Sequence, residues 1–171
     1  MKSTLQDLKT RRSCRKYRVE QIKEEELNEI LEAGTYAPSG MGAQSPVIVA
    51  VQNREIIRKL SKMNAQIAGV DMDPFYGAPT VIIVLADRKT VTYVEDGSLV
   101  LGNLMNAAHA IGIGSCWIHR AKEEFESPEG KELLKAWGLG EDYVGIGHCI
   151  LGYEQDTGSA KPRKSDFVIR V

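Results

Sequence analysis

The chain has 171 residues, of which 43% are apolar and 26% charged, the size and balance of one folded domain with its own core. A net charge of −1 leaves no global field to draw it to nucleic acid or an anionic membrane, and no apolar run approaches the roughly 20 residues that span a bilayer. Three cysteines without C-x-x-C spacing argue against a disulfide framework or zinc site, and with an N-terminus lacking an apolar signal core they point to the cytoplasm.

Taken in chain order, residues 23–36 place Leu27, Ile30, Leu31 and Gly34 on one face with Lys and Glu opposite, which predicts a helix stopped ahead of Pro38. Val47 to Val51 is a β-branched run of strand length, and Ile56, Ile57, Leu60 and Met63 mark a second amphipathic helix. Pro79 through Ala86 is continuously apolar, as a strand buried on both faces would be. Residues 95–111 are apolar around most of their circumference and read as a central buried helix. Strands follow at 113–118 and 144–152, around a helix at about 128–137 that ends at Gly138. The tail from Lys161 closes in Phe167-Val168-Ile169, a short β-like stretch that could add to its own sheet or a partner's. This order is not a regular β-α-β-α alternation, so an α+β fold in one domain, 1–171, is expected.

Four segments carry chemistry. Arg11, Arg12, Ser13 and Arg15 put three guanidiniums and a hydroxyl within five residues, a compact oxyanion site as well as what a solvated basic turn looks like. Ala37 to Pro46 is a low loop of small residues in which Pro38, Ser39 and Gly40 can lie flat against a planar ring. There Gln44 offers both donor and acceptor to an imide edge, although Gly and Pro also mark ordinary turns. In the stretch Gly112 to Arg120, glycines permit close backbone approach ahead of Trp117, Ile118, His119 and Arg120, without the dinucleotide fingerprint. Lys161 and Arg163 form a second basic cluster that could close on the same phosphate as the first. His109, His119 and His148 lack ligand spacing, so no metal is expected, and His109 reads as a core histidine. Cys14, beside three arginines, would have a lowered pKa if exposed, but lacks a His–Asp partner set for nucleophilic work.

In order, R-R-S-x-R-K-Y, A-P-S-G-x-x-x-Q-S-P, D-P-F-Y-G-A-P-T-V-I-I-V, N-A-A-H-A-I-G-I-G-S-C-W-I and G-I-G-H-C-I-L-G-Y resemble the FMN-dependent nitroreductase family, from Arg11 to about Arg163. The resemblance implies a mostly antiparallel central sheet flanked by helices in an intertwined homodimer, with the tail from about 160 to 171 docking on the partner. It implies tightly bound, non-covalent FMN: Arg11, Arg12, Ser13, Arg15, Lys161 and Arg163 on its phosphate, and Pro38, Ser39 and Gly40 along the ring. Gln44 would stand at the polar edge (from the other subunit), Asn64 at the pyrimidine end, and Trp117, Ile118, His119 and Arg120 as the wall near the reactive N5. The activity implied is ping-pong hydride transfer from NADH or NADPH through flavin N5 to a nitroaromatic, quinone or enone, with no catalytic side chain, nucleic acid or membrane. The alternative is other flavin chemistry on the same scaffold, such as dehalogenation, dehydrogenation or flavin reduction, or a non-catalytic flavin-binding protein. His119 and Arg120 stand where many relatives carry an acidic residue and a glycine, and Val47 where many carry an aromatic.

Overall fold

A computed structural model describes residues 4–156 and 158–171. Four strands form one sheet: β1 (Pro46–Val51), β2 (Thr80–Asp87), β3 (Gly114–Ile118) and β4 (Tyr143–Gly152), in the order β1-β2-β4-β3. Every pair of neighbouring strands is antiparallel, as expected for an α+β fold. The helices are α1 (Thr4–Thr10), α2 (Glu24–Thr35), α3 (Arg54–Ala68), α4 (Tyr93–Ala110), α5 (Ala121–Glu126) and α6 (Pro128–Ala136).

The strand alternation explains the layers. In β2, Val81, Ile83 and Leu85 point to one face, where they meet Leu60 of α3, Phe125 of α5 and Leu134 of α6. Ile82 and Val84 point to the other, against Ile30 of α2 and Val100 and Leu104 of α4. All of Val81 to Ala86 is completely buried, because helices cover both faces; a strand so placed reads as an unbroken apolar run. A register shift between Val84 and Leu85 interrupts the β2–β4 ladder beside Gly145 and Gly147, and there β4 is approached very closely. An added Cβ at Gly145 would strike the Ala121 carbonyl of α5, and one at Gly147 would strike the Trp117 indole.

Two expectations change, and two short helices appear that the sequence reading did not include. The helix at α4 is buried on one side only: Val94 and Leu99 are exposed, and Gly102 faces open space. Its apolar circumference therefore exceeds what this one chain covers. The Phe167-Val168-Ile169 stretch forms no strand and all three residues are exposed, since no edge of its own sheet receives it. Two short helices, α1 and α5, carried too few apolar positions to show periodicity. No described helix is long and apolar enough to cross a membrane, and the described residues hold no cluster of three or more potential metal ligands.

Because α5 rests on β4 backbone to backbone, Gly145→Ala is expected to cost about 1–3 kcal/mol through overpacking. Urea unfolding checks this; a midpoint equal to wild type would contradict the close approach.

Candidate functional site

The basic cluster begins where α1 ends. Arg12 turns back, its Nη1 donating to the carbonyls of Lys9 at 2.9 Å and Arg11 at 2.7 Å, so it caps the helix C-terminus rather than pointing outward. Arg11 differs: its Nη1 is buried with no hydrogen-bond partner, as is the hydroxyl of Ser115 on β3. Ser13 bridges to Ser115, and Cys14 N–H donates to the Ser115 carbonyl at 2.9 Å, which fixes the segment beside the start of β3. Arg15 is exposed and lies over the Tyr76 ring at 5.9 Å.

The chain beyond β4 returns to this cluster. Tyr17 bridges to Glu154, Gln155 N–H donates to the Lys16 carbonyl at 3.0 Å, and Lys16 pairs with Asp156 at 3.2 Å. A Cβ at Gly158 would lie 3.7 Å from the Ser13 carbonyl. The tail thus departs beside Ser13, with Lys161 and Arg163 exposed a few residues on.

Cys14 is buried, so the exposure that would let its arginine neighbours lower its pKa is not met. Burial pushes its pKa up, and pushes Cys149 from an ordinary 9.0 up to about 12. Tyr17, whose hydroxyl donates to the Cys14 carbonyl at 2.8 Å, is raised for the same reason. His109 also departs from expectation: it is half-buried, and its Nε2 lies 2.9 Å from the Thr10 hydroxyl, tying α4 to α1.

The loop after α2 makes a single 3-10 turn at Gly40–Gly42, with Met41 and Gln44 in the left-handed region at φ 51° and 49°. A buried carboxylate that the sequence did not single out organises it. Asp96, in the first turn of α4, accepts from Gly40 N–H at 2.9 Å, the Ser45 hydroxyl at 3.2 Å and the Thr92 hydroxyl at 3.0 Å. A side chain at position 40 would collide with Thr92, so glycine is required there. Pro38 and Gln44 remain exposed beside a groove of about 410 Å³ running between the loop, α2 and α4. An acidic residue in a helical first turn is usually a dipole partner; only the folded loop shows Asp96 to be a clamp.

At the third segment, Trp117 is 45% exposed on the edge strand and its ring lies 5.3 Å from that of His119. Ile118 packs inward, and Arg120 sits at φ 82° with its guanidinium 3.6 Å from Glu123. Asn64 is buried, and its amide donates to the His119 carbonyl at 2.7 Å and to Glu124. With its amide hydrogens on protein acceptors, Asn64 anchors the turn after β3 rather than presenting a donor to a ligand.

These groups do not converge within one chain. Ser115 pairs with Leu151 and Leu151 with Thr80, whereas Pro46, which follows the loop, pairs with Ala86. Six residues along β2 and three strand spacings therefore separate the loop from the basic cluster, roughly 20 Å by 14 Å. A larger cavity of about 750 Å³, between α3 and the chain leading into β2, is lined by none of the candidate cofactor-binding residues.

The chain is similar to known proteins along nearly its whole length. The model of the "Nitroreductase family" matches residues 8–70 and 64–153. A nitroreductase from Bacteroides fragilis, crystallised with bound FMN, superposes with a TM-score of 0.90 over all of both chains at 31% identity. A second, from Desulfitobacterium hafniense and also with bound FMN, gives 0.89 over 100% of this chain and 99% of that one at 27% identity. The FMN reductase [NAD(P)H] of Bacillus subtilis is 25% identical over 95% of this chain and 70% of its own.

Asp96→Ala should leave three inward donors without an acceptor, costing about 1–3 kcal/mol, and should speed proteolytic cutting within 38–45 under native conditions; equal cutting of variant and wild type would refute the clamp. The buried thiols and Tyr17 give stability a basic limit. An unfolded chain releases these protons near their ordinary values of 9.0 and 10.0 while the folded chain retains them. Stability is thus full below about pH 9 and falls as pH rises toward 12, which urea midpoints at pH 8 and pH 10.5 would show.

Proposed function

We propose a function from the premise that this chain belongs to the nitroreductase family: it is an FMN-dependent NAD(P)H oxidoreductase that works as a homodimer. The observation that carries the reading is the buried, unpartnered Arg11 Nη1 at the head of an Arg-Arg-Ser-Cys-Arg segment. A guanidinium donor without a protein acceptor costs free energy unless an anion meets it, and a phosphate dianion does so with charge-assisted bonds. The donor set fits FMN on that ground. Arg11, Ser13 and Arg15 would hold the phosphate, joined by Lys161 and Arg163 from the tail that leaves beside Ser13.

The ring would lie against the Trp117–Arg120 wall of one subunit and the loop of Pro38, Ser39, Gly40 and Gln44 of the other. Support for a second subunit comes from the separation of these groups within one chain, from the uncovered face of α4 at Leu99 and Gly102, and from the exposed apolar tail, which we place on the partner. Bound FMN supplies two-electron transfer from NADH or NADPH to an organic acceptor. The chain supplies grip, orientation and exclusion of water: Asp96 keeps the loop flat, and Trp117 presents an aromatic surface. A planar, electron-poor acceptor such as a nitroaromatic, quinone or enone suits a flat ring bounded by an aromatic wall. His119, tilted against Trp117, and Arg120, paired with Glu123, stand where many relatives carry an acidic residue and a glycine.

The purified protein, supplied with FMN, is expected to be yellow and dimeric by light scattering, and to oxidise NADH or NADPH with nitrofurazone or menadione. Arg11→Ala should weaken FMN binding about 10- to 100-fold, the equivalent of one charge-assisted contact. Failure of the wild-type protein to bind FMN would end the reading.

A further inference from the structure

The backbone just after β3 is held from beneath by three polar side chains that the proposed reaction does not touch. Asn64 of α3, Glu124 of α5 and His148 of β4 are buried together, with Glu124 and His148 wholly inaccessible. Asn64 Nδ2 donates both to Glu124 Oε1 and to the His119 carbonyl, the latter at 2.7 Å. His148 Nε2 lies 3.1 Å from Glu124 Oε2, close but poorly aligned, and His148 Nδ1 has no hydrogen-bond partner. The Phe75 ring packs against the imidazole at 5.2 Å. Apolar side chains of the same shape would fill this space without the cost of buried, imperfectly paired polar atoms. Stability alone therefore does not account for the cluster.

Peptide geometry shows what the cluster does. A trans peptide is planar, with its carbonyl and N–H on opposite sides. With the His119 carbonyl held inward by Asn64, the Arg120 N–H must point outward, at the exposed end of β3 that carries Trp117 and His119. Arg120 itself is in the left-handed region at φ 82°, a conformation costly for a side-chain-bearing residue and kept only where its surroundings over-determine it. The anchor is the Asn64 amide, and Glu124 fixes the orientation of that amide.

We propose that Asn64 and Glu124 are positioning residues, which lock the 119–120 peptide so that its N–H faces the flavin. The inference rests on the FMN reading above. Asn64 acts on the peptide directly and Glu124 acts through Asn64; His148 backs Glu124. None of the three belongs to the phosphate grip, so loosening them should alter the electronic setting of the flavin more than its retention.

The test compares wild type, Asn64→Leu and Glu124→Gln as full-length, FMN-loaded proteins. FMN affinity is measured by quenching of flavin fluorescence on titration into apoprotein, and the two-electron midpoint potential by dye equilibration. The Arg120 amide resonance is followed in labelled protein with and without FMN. For Asn64→Leu we expect FMN affinity within threefold of wild type. Its oxidised-to-reduced equilibrium should shift about tenfold, equal to about 30 mV for two electrons, with loss of most of the FMN-induced change at the Arg120 amide. Glu124→Gln, which keeps the shape and an acceptor oxygen, should shift the equilibrium at least threefold in the same direction. An unchanged potential and Arg120 resonance in folded, FMN-loaded Asn64→Leu overturns the proposal. If Asn64→Leu does not fold, the same result in Glu124→Gln overturns it. Absence of FMN binding by wild type shows in the titration itself and removes the functional reading first, and the proposal with it.

Discussion

The two central strands have no polar face. Val81 to Ala86 of β2 are buried on both sides, and β4 beside it is almost as enclosed. Burial of such strands is favourable at about 25 cal/mol per Å² of apolar surface, but it needs a helical layer above and another below. Once α2 and α4 cover one face and α3, α5 and α6 the other, no middle of the sheet is left open to a ligand. Donors and flat surfaces can appear only at its edges and ends. The basic segment lies along the β3 edge, and the small-residue loop at the β1 corner.

That constraint also explains why the site divides. Groups at opposite corners of a packed sheet cannot be brought together without unpacking it, which is why the proposed FMN site takes its second half from another copy. The face of α4 left open here, with Leu99 exposed and Gly102 free of neighbours, has the apolar character of a surface meant to be covered.

Two buried carboxylates have parallel roles in this scheme. Asp96 gathers three donors from the loop and from its own helix, and Glu124 holds the amide that pins the turn after β3. Each is costly to bury, and each is connected to backbone that would otherwise choose among several conformations. Three of the four left-handed non-glycine residues among the described residues, Met41, Gln44 and Arg120, lie in the segments these carboxylates restrain; Tyr76 lies in the turn before β2. Rigidity at the periphery is thus supplied by polar struts, while the middle is rigid through apolar packing.

The sequence by itself determined the long elements. The apolar run at 79–86, the helical faces at 27–34 and 56–63, and the strand at 144–152 each announced themselves, because one-dimensional periodicity follows directly from burial on one or two faces. It also marked the segments that could hold chemistry, since clustered guanidiniums and a low Gly-Pro loop are local features. Tertiary structure alone decided three things. It buried Cys14 and turned Arg12 onto helix carbonyls, and it showed Asp96, Glu124 and His148 to be interior partners of groups 24 to 60 residues away. It also left the Phe167–Ile169 stretch unpaired. The physical reason is common to all three: a side chain's hydrogen-bond partners are set by which surfaces pack together, and packing joins positions that no local pattern links.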